Sequence, residues 1–331
     1  MLKKALSICF ALLLFSLSAC STQNRHSPSA TTMPESTSDA QDLITGLNNE
    51  ETTHSKSTET PASAGSIRKV FYGKNTGTDR TYTGYEPLEP ATFDVSTFPT
   101  GLSTETVEHS FGVAKDEAPH TISVTAQRIF NENRLDAIVY DNRATQKTLY
   151  LTFDCGYDNG QTEKILDTLR EKDVKAAFFC TLPEMQSVPE LTARMIKEGH
   201  IVGNHSVTHP DFSTLSHEQM VEEVKGFDDW LREHFGYSAQ FFRFPMGKFS
   251  LDAVAALNAM HYRCVFWSIA YFDWDLDNQP GEEQAYETVI SRLHPGAVIL
   301  LHSVSPDNAA ALPRIIDTAR EMGYQFKALN E

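Results

Sequence analysis

An aspartate and a thiol stand side by side in LTFDCGYDNG, at Asp154 and Cys155, where an apolar, β-rich run breaks into a glycine turn. Further along, His205 and His209 lie four residues apart in HSVTH, Arg243 opens near RFPMG, Asp273 and Trp274 follow VFWSIAYF, and His302 closes AVILLH. Two histidines at that spacing on a loop supply two nitrogen ligands to a divalent ion. Such an ion lowers the pKa of the water it binds to about 7 and polarises a carbonyl. A carboxylate is then needed to take the water proton, a role open to Asp154. A second group must protonate a departing amine, and the imidazole of His302 is suited to that. Arg243 would hold Asp154 ionised and oriented, and Asp273 would do the same for the His302 imidazolium. The reaction these types imply is metal-assisted hydrolysis of an amide or ester, with the acyl group and the amine left open.

These residues cooperate only if the chain brings them to one place. From Lys147 onward, short apolar runs alternate with amphipathic ones. Strands are expected at 148–154, 175–180, 200–205, 241–245, 264–269, 297–302 and 324–329. Helices are expected at 162–171, 189–198, 217–235, 251–260, 282–292 and 307–322. Strand–helix alternation means parallel strands with helices outside them. About seven strands fit a barrel or a doubly wound sheet, and in both the active groups gather at the C-terminal strand ends. Asp154, His205, Arg243, Asp273 and His302 all fall at or just beyond such ends. A lone histidine there is most often a structural one, and a lone arginine most often a surface ion pair. Five polar arrivals at one edge are hard to explain as stability features.

The N-terminus reads differently. Lys3 and Lys4 precede an apolar stretch too short for a typical spanning helix, and LSAC ends it at Cys20. That pattern resembles the lipobox of bacterial lipoproteins: residues 1–19 are expected to be a signal peptide and Cys20 the lipidated mature N-terminus. Two acyl chains suffice for stable anchoring. Residues 20–65 are expected to form a disordered tether, since 17 of the 45 residues from 21 to 65 are Ser or Thr. A random coil of that length reaches about 35–40 Å. Residues 66–145 are rich in Gly and Pro and weakly periodic, an irregular extension expected to wrap the main domain, with no evident chemistry.

The chain carries a net charge of −16, and −18 once Lys3 and Lys4 leave with the signal, which makes it a poor nucleic-acid binder. No protein partner is implied. Of five cysteines, Cys155, Cys180 and Cys264 remain after the signal and the lipid site, too few for a disulfide framework. No HExxH is present, which removes the commonest zinc-peptidase pattern.

The five segments TFDCG, HSVTH, RFPMG, FDW and LLH stand in the order and rough spacing of the five motifs of the polysaccharide deacetylases, the NodB-homology domains of carbohydrate esterase family four. The resemblance covers residues 146–331. It implies a distorted (β/α) barrel of about seven parallel strands, a divalent metal of the zinc type, and removal of acetyl from N-acetylated sugars. It also implies roles residue by residue. Asp154 corresponds to the base, His205 and His209 to metal ligands, Arg243 to the residue orienting the base, and Asp273 to the one tuning the acid His302. Trp274, Leu300 and Pro245 correspond to the substrate pocket.

FDCGYDNG, EGHIVGNHS, VFWS and HPGAVILLH look most like the branch acting on N-acetylmuramic acid in peptidoglycan, at the outer face of the bacterial cell membrane. An N-acetylglucosamine deacetylase and an inactive glycan-binding lipoprotein are the alternatives. Two positions depart from the family pattern. Ala270 stands where an aspartate is common, and Cys155 stands where a second aspartate usually binds the metal. Cys155 has three readings: a third ligand beside His205 and His209, a neutral substitute that leaves the two histidines alone with the metal, or a disulfide partner of Cys180.

Overall fold

The computed structural model describes residues 91–331. The signal segment 1–19, Cys20, the tether 20–65 and the first part of the extension lie outside the described residues. Ten strands run through the described chain: β1 (Val107–Glu108), β2 (Ala137–Ile138), β3 (Thr148–Cys155), β4 (Ala177–Cys180), β5 (Ile201–Asn204), β6 (Phe241–Phe242), β7 (Lys248–Phe249), β8 (Arg263–Val265), β9 (Ala297–His302) and β10 (Gln325–Phe326). Eight helices accompany them: α1 (Thr121–Glu132), α2 (Gln161–Glu171), α3 (Leu182–Ser187), α4 (Pro189–Lys197), α5 (His217–Phe235), α6 (Leu251–Ala259), α7 (Glu282–Ile290) and α8 (Pro306–Glu321).

Seven parallel strands stand in the order β9-β3-β4-β5-β6-β8-β2. Isolated bridges from Tyr140 to Ala297 and from Ile269 to Ile299 bring the far edge back to β9, so the sheet curls into a distorted barrel. β3 is its axis, and every one of its eight residues is buried, as both faces of a parallel strand require. The Thr148 and Asp154 carbonyls accept from Gly296 and Ser303 on the β9 side. The Leu149 and Cys155 carbonyls accept from Lys327 and Thr181 on the other side, where β10 and β4 follow one another along the same edge.

The pleat splits the core in two. Leu149, Leu151, Phe153, Cys155, Phe178 and Cys180 pack outward against Ile165, Leu166 and Leu169 of α2. Tyr150, Phe179, Phe241, Val265 and Val298 fill the barrel interior. The helices are set by local signals. Ser216 and Gln219 form a reciprocal capping box at the start of α5, and Gly236 ends that helix in the left-handed conformation.

The expected strands and helices of the region after 146 are present, with the fourth strand shortened to β6 before a tight turn at 245–247 and the fifth and last strands shortened to β8 and β10. The part of 66–145 that is described is more ordered than its composition suggests. α1 docks Phe130 against Phe249 and Phe266, β2 supplies a barrel strand, and β1 pairs antiparallel with β7.

Candidate active site

Successive residues of a strand point to opposite faces, and this separates Asp154 from Cys155. Asp154 points into the barrel mouth, and Cys155 points outward toward the helices. Asp154 and His302 are register partners on β3 and β9, so both side chains rise from neighbouring strands at the same level.

Arg243 follows β6 and is fully buried. Its guanidinium donates to Asp154 Oδ1 at 2.7 Å, to Thr152 Oγ1 at 2.9 Å, to the Phe266 carbonyl at 3.1 Å and, through Nε, to the Val265 carbonyl at 3.0 Å. The Phe179 ring lies 4.2 Å from its central carbon. Phe179 can lie there because residue 203 is glycine: a Cβ on Gly203 would come within 2.5 Å of that ring. Burial pushes the Asp154 carboxyl up, but the charge and hydrogen bond of Arg243, with the charge of His302, outweigh it and hold Asp154 below the usual carboxylate range.

The opposite arrangement holds at His302. Its Nδ1 donates to Asp273 Oδ1 at 2.6 Å, and its backbone N–H donates to Asp273 Oδ2 at 2.8 Å. Asn308 Nδ2 donates to the same Oδ2. Burial would lower the imidazole's pKa, yet the buried Asp273 charge and the nearby Asp154 charge raise it above the ordinary histidine value. The cleft therefore sets a carboxyl biased toward its ionised form beside an imidazole biased toward its protonated form, each by a buried partner of opposite charge.

His205 ends β5. Its Nδ1 lies 2.8 Å from the Arg243 carbonyl, an acceptor, so Nδ1 carries the proton and Nε2 keeps its lone pair. Burial depresses its pKa to about 4, which keeps the ring neutral. Nε2 lies 3.6 Å from Asp154 Oδ2, so two lone-pair atoms face each other with no proton between them, an arrangement a cation relieves. The His209 ring stands 4.8 Å from the His205 ring, and burial also lowers its pKa, so both imidazoles are in the ligating form. On an observation of this geometry, the two histidines fit a divalent ion.

The loop that presents them is held rather than loose. Glu223 of α5 accepts from the Val207 and Thr208 backbone N–H groups at 2.9 and 2.8 Å and from the Thr208 hydroxyl at 2.6 Å. Ser206 and His209 both have positive φ, 73° and 58°, and Met246 across the cleft has φ of 57°. Strained non-glycine backbone of this kind clusters at functional sites.

The cleft has a volume of about 490 Å³, in the range of small-ligand sites. Leu300 packs with Trp267 and Ala270 at its floor, and Trp274, half exposed, stands 5.3 Å from the His302 ring. Pro245 is buried beneath the wall, and it is its neighbours Met246 and Gly247 that face the cleft. Gly247 has φ of 67°, and a Cβ there would come within 2.8 Å of Trp267 and 3.0 Å of the His109 carbonyl.

Residue 155 borders the cleft, but its side chain packs into the outer core on the other face of β3. Its sulfur is fully buried on the outward face, within 4.8 Å of the Cys180 sulfur and a Glu184 carboxylate oxygen. The expected third ligand is therefore turned away by the pleat, and both Cys155 and Cys180 are free thiols, not a disulfide.

Sequence reasoning also missed a wall of the cleft. His109 and Phe111 line it from the extension, where no chemistry was expected. His109 Nε2 bonds the Trp267 carbonyl at 2.8 Å, and its ring packs edge-on against Trp267. The pairing of β1 with β7 brings it there, and a two-residue strand leaves no readable periodicity.

Residues 141–265 match the family model of the polysaccharide deacetylases. The chain is 40% identical over 193 residues to the peptidoglycan-N-acetylmuramic acid deacetylase PdaA of Bacillus subtilis, a match covering 58% of this chain and 73% of that protein. The chain is a polysaccharide deacetylase. The solved structure of PdaA, a family 4 carbohydrate esterase, superimposes with a TM-score of 0.66 at 36% identity, covering 69% of this chain and 97% of that one. A peptidoglycan-N-acetylglucosamine deacetylase of Bacillus cereus is 30% identical over 197 residues, covering 57% of this chain and 72% of that protein. As a member of this family, the deacetylase is an enzyme that hydrolyses the N-acetyl amide bonds of a glycan. Members of the family are generally metal-dependent.

Proposed function

We propose that this deacetylase removes acetyl from peptidoglycan, with N-acetylmuramic acid as its sugar, outside the membrane to which Cys20 anchors it. The observation that carries the mechanism is the register pair Asp154 and His302, one held ionised by Arg243 and the other held protonated by Asp273. Asp154 takes the proton of the attacking water as the water adds to the acetyl carbonyl. His302 then gives its proton to the departing sugar nitrogen, so that acetate and a free amine leave. Arg243 aims Oδ1 of Asp154 away from the reaction and leaves Oδ2 toward it. Leu300, Trp267 and Trp274 line the apolar side of the cleft, where the acetyl methyl group would lie. His205 and His209 would hold a divalent ion of the zinc type, which when bound polarises the acetyl carbonyl.

Muramic acid is favoured over glucosamine by the greater identity to PdaA, 40% against 30%. A deacetylated muramic amine lies close to its own lactyl carboxyl when the stem peptide is absent, and ring closure to a lactam is then favoured by proximity. Purified peptidoglycan, intact and stripped of stem peptides, is the test substrate. Acetate release with strands that lose acetyl and then water supports the reading. Deacetylation confined to glucosamine replaces the sugar, and binding without acetate release replaces the enzyme with a glycan-binding lipoprotein.

A further inference from the structure

On the outward face of β3, opposite the catalytic groups, Cys155, Cys180 and Glu184 bring three ligand atoms within 4.8 Å of one another, the sole such trio among the described residues. All three are almost wholly buried, at 0%, 1% and 3% exposure. The two cysteines are register partners at the ends of β3 and β4, so their side chains leave the sheet on one face. Glu184 enters from the first turn of α3, four residues after Cys180. From these positions we infer that the deacetylase has a second metal site, for a thiophilic divalent cation of the zinc class, built from Cys155, Cys180 and Glu184.

The deciding observation is the carboxyl group. Both oxygens of Glu184 are buried, and neither has a partner stronger than the neighbouring Cys180 thiol. The Ser303 hydroxyl is likewise buried, with only the Cys155 sulfur beside it as a partner. A buried polar group without a partner costs free energy that native cores rarely tolerate. Without a cation, the only groups beside the Glu184 carboxyl among the described residues are two thiols, which are weak hydrogen-bonding groups. A bound cation satisfies the carboxylate and both sulfurs together. Two thiolates and a carboxylate are a zinc-type donor set, and the Ser303 hydroxyl or a water is available for the fourth, tetrahedral position. Binding releases the thiol and carboxyl protons to solvent as the three metal bonds form.

A Cys155–Cys180 disulfide explains less, because it removes both S–H donors and leaves Glu184 more isolated than before. A closed, solvent-free site also differs from the open histidine pair in the cleft. Its role is to fasten the ends of β3 and β4 to α3, directly behind Asp154.

The test uses the full chain carrying His205→Ala and His209→Ala, so that the cleft no longer competes for metal. Loaded with zinc and desalted, this variant is expected to retain one zinc per chain. Loaded with cobalt, it is expected to show thiolate-to-cobalt charge-transfer absorption in the near ultraviolet. Adding Glu184→Gln, which keeps the side-chain volume, should weaken zinc retention by about 10–100-fold, at least the contribution of an outer-shell partner. Adding Cys180→Ser should abolish the charge-transfer band. Zinc retention unchanged by Glu184→Gln, or cobalt loading without a thiolate band in the two-histidine variant, overturns the proposal. So does a free-thiol count that rises by two on reduction, which would assign the pair to a disulfide.

Discussion

Replacing Arg243 with Met tests the catalytic arrangement at its most buried point. The guanidinium makes four hydrogen bonds and is the main counter-charge of Asp154. Methionine fills much of the volume but leaves a buried carboxylate with no partner, a change that costs about 3–5 kcal/mol when a buried pair is broken from one side. Asp154 then has burial without compensation, and its pKa rises. In the wild type the carboxyl is depressed, so it contributes stability above the unfolded aspartate value, and that contribution is lost as pH falls through the folded value. The variant loses this contribution and should unfold more easily at neutral pH, with the difference shrinking in acid. Its base is protonated over much of the working range, so acetate release should fall by about 10²–10⁴ near neutrality, the usual worth of a general base. Activity should also recover as pH rises and Asp154 ionises, whereas the wild type shows no such rise through the same interval. Acetate release against pH, with thermal unfolding at the same pH values, reads both effects. A variant whose acid limb stays where the wild type has it would show that Arg243 does not hold the base ionised. Arg243→Lys should rescue little, because an ammonium lacks the planar fork that reaches Asp154, Thr152 and two carbonyls together.

Asp154→Asn and His302→Ala should each lower acetate release by about 10²–10⁴ with folding intact, and near-normal release removes that residue from the mechanism. Asp273→Asn should move the alkaline limb of the pH–rate profile toward acid, because the acid loses the charge that raised its pKa; a profile that only drops in height would refute that role. Glu223→Ala frees two backbone donors and a hydroxyl that hold the 206–209 loop, so zinc affinity at His205 and His209 should fall with little change in melting temperature, as measured by titration. Cys20→Ala should release the protein from the membrane, and unchanged retention in a fractionation experiment would exclude lipidation.

Much of this was legible because two periodicities coincide. Apolar strands alternate with amphipathic helices over long enough stretches to be recognised, and the ends of those strands carry the reactive types. Asp154, His205, Arg243, Asp273 and His302 could be placed at one edge for that reason alone. What was not legible was direction. Nothing in the adjacency of Asp154 and Cys155 says that the pleat sends one inward and the other outward, which is why three readings of the thiol stood open. Nor could composition reveal that β1 would pair with β7, since two-residue strands carry no pattern and their partner lies about 140 residues away in the chain, a separation read from the register Val107 to Phe249. Glu223 is equally silent in sequence: it sits in an acidic stretch of α5, and only its loop partners distinguish it from its neighbours.

The pairing of β1 with β7 also divides ownership of the cleft. Asp154, His302 and the histidine pair belong to the barrel, whereas His109 and Phe111 are contributed by a stretch of chain that lies before the segment matched by the family model. Substitutions there change the shape presented to the glycan while leaving every proton-transfer group where it was. A chain shortened to begin at residue 146 would lose that wall together with α1 and β2, and would bare Phe249 and Phe266 to water.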